Sequence, residues 1–418
     1  MKKFLVLLIV LAFVAPAMAD DTLDVSGQMR VEAYTINNSA FSDADDDDLA
    51  YWDQRLRLQM KIKPNDAAMA VLRTDITEGT WGAWQNRPDA GTNGLLMIDR
   101  AYLSIDSGMV NITGGLNAYN LGNAIVYNNQ GQGIQFTIKT PATIRLGITK
   151  ENENGYNADS EETEVRDDDG NITDYADAQD TDTQFLDVGF KSGGMSVNVF
   201  YAALVDGRAG NQETRDVMGV QYKNSFGAVS LNVELDMLGG EDADGNTLTG
   251  TQLYAKVTMK ASDQLTIGSH LAYAAGTDAA DETQITYVNN FGDFGVAYDV
   301  LWHQWPGAFD PFASWDNDMF MTGANQGAIS IAPFATFKVK DDLSVGAQLI
   351  YMMAGGDSSD TTKDIDSQML LGLGGRYNLA PSANLDFGYT MASKTAGSDN
   401  DTEYEGYSGY GVIMSVGF

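Results

Sequence analysis

Residues 407–418 read YSGYGVIMSVGF. Taken in steps of two from the end, Phe418, Val416, Met414, Val412 and Tyr410 are apolar or aromatic. The residues between them are Gly417, Ser415, Ile413, Gly411 and Gly409, most of them small. Period two is the signature of a β-strand with one apolar face. A strand of this kind that ends on Phe418 with no polar tail needs a partner for that face, and the rest of the chain decides which.

At the other end, MKKFLVLLIVLAFVAPAMAD places Lys2 and Lys3 before an apolar run from Phe4 to Val14. Pro16 and the small-residue pattern Ala17-Met18-Ala19 follow. This is the pattern of a secretory signal over residues 1–19, with cleavage expected after Ala19. The run is shorter than the roughly 20 residues of a spanning helix. Residues 20–418 then form one unit, since no Pro/Ser linker or change of pattern marks a boundary. The chain has no cysteine, which excludes disulfide staples, thiolate metal sites and attached haem. Its formal charge is −33, or −35 without Lys2 and Lys3, which argues against a nucleic-acid partner. Its 10% aromatic residues and the regular strand pattern argue against a solvated disordered chain.

Alternation recurs along the whole chain. Leu23, Val25, Met29 and Val31 alternate with Asp24, Ser26, Gln28 and Arg30, and Leu56, Leu58, Met60 and Ile62 with Arg55, Arg57, Gln59 and Lys61. Val229, Leu231, Val233, Leu235 and Met237 alternate with Ser230, Asn232, Glu234 and Asp236. Short connections such as KPND (63–66), DSG (106–108), TPA (140–142), FGA (226–228), FGD (291–293) and APS (380–382) alternate with long polar segments such as 37–50, 117–132, 151–182 and 306–325. Long strands joined in turn by short and long connections predict an all-β, antiparallel transmembrane β-barrel with long loops on one side and short turns on the other. Counting connections predicts about 20 strands, with 18 or 16 open. An even number closes the sheet without an edge.

Signal, alternating strands, sidedness and the closing strand Tyr410, Val412, Met414, Val416, Phe418 together resemble the Gram-negative outer-membrane porins over the whole mature chain. The resemblance implies a multi-pass barrel in the cell outer membrane, with long extracellular loops and short periplasmic turns. It also implies a homotrimer acting in passive transport of solutes and ions, with the terminal strand read by the barrel-assembly machinery.

Catalysis finds no support. His270 and His303 are the two histidines; Ser269 neighbours His270, but adjacent strand side chains point to opposite faces. GLGGRY (372–377) lacks the Lys-Ser/Thr of a phosphate loop and reads as strand. No cofactor is expected. The acidic loops 43–48 and 151–182 leave room for Ca²⁺ or Mg²⁺ bridging to lipopolysaccharide. The repeats Asp167, Asp169, Asn171 and Asp242, Asp244, Asn246 are weak calcium candidates, because Ile172 and Thr247 stand where an EF-hand has glycine.

The inward parity carries the strongest site signal. A basic wall of Arg30, Arg55, Arg57, Lys61, Arg73, Arg100, Lys139 and Arg145 is expected to line a pore, opposite acidic Asp187, Glu234, Asp236, Asp299 and Asp386. In porins, by resemblance, a basic wall faces an acidic third loop. Here the third loop, 117–132, has no acid. Three functions compete: a general diffusion channel for small hydrophilic solutes; a substrate-selective channel, for example for sugars, using the aromatic segment 302–320; and a scaffold barrel that holds a redox or adhesion partner.

Overall fold

Alternation at period two leaves each strand with one apolar and one polar face, and a sheet built from such strands can hide its edges only by closing. In the computed structural model the chain does this. The structure describes residues 22–37, 49–80, 96–153, 164–166, 172–175, 180–206, 213–241, 245, 247–274, 328–354, 365–396 and 406–418.

The first half of the ring is β1 (Leu23–Asn37), β2 (Leu49–Asn65), β3 (Ala68–Thr80), β4 (Leu96–Asp106), β5 (Val110–Asn120), β6 (Asn128–Lys139) and β7 (Ala142–Glu153). A small separate hairpin follows, β8 (Glu164–Arg166) and β9 (Ile172–Tyr175). The ring resumes with β10 (Asp180–Ser192), β11 (Met195–Asp206), β12 (Glu213–Phe226), β13 (Val229–Glu241), β14 (Thr247–Lys260) and β15 (Leu265–Ala274). It finishes with β16 (Ala328–Lys340), β17 (Leu343–Ala354), β18 (Ile365–Ala380), β19 (Ala383–Ala396) and β20 (Tyr407–Gly417). Each strand pairs antiparallel with its neighbours, β7 pairs with β10, and β20 pairs with β1, giving an 18-stranded closed sheet.

The count is therefore 18, not the first expectation of 20. The difference lies at residues 275–327. The sequence places two strands around the turn 291–293, but β15 hydrogen-bonds directly to β16, from Leu265↔Phe337 to Ala274↔Ala328. The ring has no place between them for another pair. Residues 291–293, Asp299 and the aromatic segment 302–320 lie outside the described residues, as do residues 1–21 and all six calcium candidates.

The outer face is an apolar band. Leu186, Val188 and Phe190 of β10, Val199 and Tyr201 of β11, Leu235 and Met237 of β13, and Tyr351 and Met353 of β17 are all exposed. Exposed apolar residues on every second position around a closed ring form a lipid-facing belt. The mean hydropathy is −0.22 all the same, because the other parity and the connections are polar. At the short turns, Lys260 binds Asp263 at 2.9 Å and Lys338 binds Asp341 at 2.7 Å. These contacts hold both carboxyls below the usual carboxylate range.

The terminal stretch forms the seam. Tyr410, Val412, Met414, Val416 and Phe418 are all exposed on the outer face. The Gly27 amide donates to the Phe418 carbonyl at 2.8 Å, and the Phe418 amide donates to the Gly27 carbonyl at 3.0 Å. The Phe418 ring lies over Gly27, where a Cβ would stand 2.5 Å from it. Glycine in β1 therefore makes room for the last aromatic ring.

Candidate functional site

Two features occupy the inward face. The first is a group of arginines on β1–β4. Arg30 stands directly opposite Arg55, and Arg73 directly opposite Arg100. Like charges across a strand pair repel, so the arrangement needs carboxylates, and the structure supplies three. Glu32, Asp75 and Asp99 are all buried. Arg57 grips Asp75 through two bonds of 2.6 Å and lies 3.8 Å from Asp99. Arg73 also binds Asp99, and Arg100 reaches it at 4.0 Å. Arg30 binds Glu32, which also accepts from the Tyr34 hydroxyl. Asp99 is placed by a break in register between Arg73 and Thr74, an extra residue that turns a carboxylate into the cluster. Five arginines against three carboxylates leave the group net positive by two charges.

The remaining predicted cations are also paired. Arg145 binds its register partner Asp187 at 2.6 Å and donates to the Asn120 carbonyl at 3.1 Å. Lys61 lies 3.8 Å from Asp24, and Lys139 binds Asp106 at the short-turn end. Asp386 binds Arg376, again its direct register partner, at 2.7 and 3.0 Å.

The second feature is the connection between β5 and β6. The sequence suggests a polar loop over 117–132, but its centre is LGNAIVY (121–127). Leu121, Ile125, Val126 and Tyr127 are buried with Tyr119, packed in one cluster with Phe185, Phe200, Leu204, Val217, Leu238 and Tyr254 from the inner faces of β10–β14. A loop with these residues cannot lie in water, and it folds into the barrel. Its tip docks on β13, six ring positions from β6 counted inclusively around the wall. The Asn123 amide donates to Glu234 Oε2 at 2.5 Å, and the Asn123 and Asn232 side-chain amides bond each other at 2.7 and 3.2 Å. Gln221 donates to the same Glu234 oxygen at 3.1 Å. Gly122 has φ of +56°, and any Cβ there would run into the Glu234 carboxylate. Only glycine meets both demands. The loop itself carries no acid, and Glu234 of the wall, fully buried, receives the loop's own N–H.

Asp236, the next inward residue of β13, is buried, and both its oxygens lack a hydrogen-bond partner among the described residues. His270 is buried on β15, with its Nδ1 2.9 Å from the Tyr254 hydroxyl. No group of three or more His, Cys, Asp or Glu arranged to hold a metal occurs among the described residues.

The closed barrel as a whole is matched by solved structures. The chain superposes on Pseudomonas aeruginosa OccK9 (OpdG) with a TM-score of 0.58, 13% identity and coverage of 95% of this chain and 98% of that one. The chain has the porin fold. Pseudomonas aeruginosa OccK11 (OpdR) gives a TM-score of 0.56 at 12% identity over 94% of this chain and 96% of that one. The outer membrane protein opdK of the same organism gives 0.55 at 8% identity over 94% and 98%. No protein-family model and no curated protein matches the sequence. At such identities the likeness concerns the architecture of the porin barrel, and the site must be read from this chain's own residues.

The sequence reading missed Glu32, Asp75 and Asp99, and it took the apolar tip of the β5–β6 loop for a polar one. The signal for the carboxylates was present, since Glu32 and Asp75 share the inward parity of Arg30 and Arg73. Asp99 carried none, because the register break at Arg73/Thr74 sets its placement.

Proposed function

We propose that the protein is an outer-membrane porin, a water-filled passive diffusion channel for small hydrophilic solutes and ions. The observation that carries this reading is the loop at 119–127, folded inward and docked on Glu234 while an arginine–carboxylate group lines β1–β4. A loop held inside the barrel narrows the lumen, and fixed charges of both signs on the wall set a field across what is left. In a low-dielectric constriction such charges act more strongly than those in a distant vestibule. The field orients dipolar solutes and gives only mild ion selectivity.

Homotrimer formation, contact with lipopolysaccharide through bridging divalent cations, and recognition of Phe418 by the assembly machinery extend the same reading and rest on the family resemblance. The test is swelling of proteoliposomes in uncharged solutes of graded size. The expected result is a swelling rate that falls steeply with solute size. Swelling no faster than in protein-free liposomes, with folded barrel in the membrane, would refute the channel.

A further inference from the structure

One inward row, joined to the docked loop at Asn232, is unlike the rest of the wall. Register pairs connect Lys191 of β10, Ser196 of β11, Lys223 of β12, Asn232 of β13, Lys256 of β14 and His270 of β15 in a single line across six strands. All six have the parity of the buried inner residues Asp187, Phe200, Gln221, Glu234 and Tyr254. Three lysines thus stand on alternate strands, roughly 10 Å apart at the backbone from each to the next. Among the described residues Lys191 and Lys223 make no ion pair within 4 Å, unlike Arg30, Arg57, Arg73 and Arg145, although Glu234 attracts Lys223 from a longer distance. The acid nearest in register, Glu234, has one oxygen already taken by the Asn123 and Gln221 donors. Toward the short turns the row borders a cavity of about 380 Å³ lined by Lys223, Lys256, Ser225, Ser230, Asn232 and Thr258.

Compact ammonium groups interleaved with hydroxyl and amide donors suit a tetrahedral oxyanion, which offers several oxygens in different directions. A phosphoryl group also concentrates about −1.5 to −2 charge on one centre, which several point-charge ammonium groups can share, against −1 for a single carboxylate. We propose that the Lys191–Lys223–Lys256 row is a binding station for solutes that carry phosphoryl groups, set in the lumen on the short-turn side of the constriction loop. Flexible lysine stems let two successive ammonium groups converge on one dianionic group, and all three engage neighbouring groups of an oligophosphate. The hydroxyls of Ser225, Ser230 and Thr258 supply further donors. The station rests on the channel reading for its role in transport, but binding to it can be measured without transport.

The experiment uses the full barrel refolded in detergent, with pyrophosphate as the probe, titrated by calorimetry at low salt. Citrate is the planar-carboxylate comparison. The expected result is that pyrophosphate binds more tightly than citrate, and that K191Q/K223Q/K256Q lowers its affinity by about tenfold or more, while K340Q at a short turn leaves it unchanged. A heat-modifiable mobility shift confirms that each variant is folded. Citrate binding as tight as pyrophosphate, or a triple variant with unaltered affinity, overturns the proposal. Single-channel current separates the two readings: a barrel that conducts without binding pyrophosphate refutes the station alone, and one that binds with lysine dependence but carries no current supports the station and refutes the channel.

Discussion

Gly122 and Glu234 show how one position can fix a loop. With φ at +56° and the carboxylate where a Cβ would go, Gly122→Ala adds strain of roughly 1–3 kcal/mol and a clash with the latch. The chain lacks cysteine, so Asn123→Cys and Asn232→Cys can be joined by a short bismaleimide against a clean background. Cross-linking should be efficient with Gly122 in place and fall several-fold with Gly122→Ala; equal yields would show that the tip does not depend on the glycine. Arg57 and Asp75 make the corresponding point for the wall. Removing the arginine alone leaves a buried carboxylate unpaired and should cost about 3–5 kcal/mol, whereas Arg57→Gln with Asp75→Asn should recover most of it. Thermal unfolding in detergent reads the difference, and a double variant no more stable than the single one would contradict the pairing. The sequence exposed these residues unevenly. Parity placed Arg57 and Asp75 on the same side, but the carboxylate's part in compensating the arginines emerged only from contacts between strands.

Among the elements, the strands were the most legible. Period two marked Leu56–Ile62 and Val229–Met237 because the lipid belt demands an apolar residue at every outward position, and both stretches lie in strands with that alternation. The β5–β6 connection was less legible. Its apolar centre 121–127 has no period, and only the partners on β10–β14 explain it. Strand membership around 291–293 was the least legible, since local alternation does not say which strands pair; β15 pairs with β16. The closing element, β20, makes a prediction of its own. Deleting Phe418 removes two backbone hydrogen bonds to Gly27 and the ring that covers it. Folded, heat-resistant barrel in the outer membrane should fall severalfold, as quantified by immunoblot, and unchanged levels would show that the seam closes without it.

For the whole molecule, two charge distributions compete. The chain carries −33, much of it in connections such as 43–48 and 151–182, and fields there fade within roughly 8 Å at physiological salt. The β1–β4 group is net positive by two and lies in the wall itself. Neutralising Arg55, Arg57 and Arg100 together with Asp75 removes two positive charges net and should move the reversal potential toward cations. Neutralising the acids of 43–48 should move it less, and mainly at low salt. A larger effect from the loop acids at high salt would place the constriction field elsewhere.

The central claim is that a closed 18-stranded barrel conducts solutes past an inward loop latched to β13. Single-channel recording in planar bilayers tests it directly, comparing the natural chain with one in which residues 121–126 are replaced by a short Gly-Ser link. The account predicts discrete ohmic steps from the natural chain and larger steps once the loop is gone. Folded barrel that inserts without current, or steps of the same size in both chains, would contradict it.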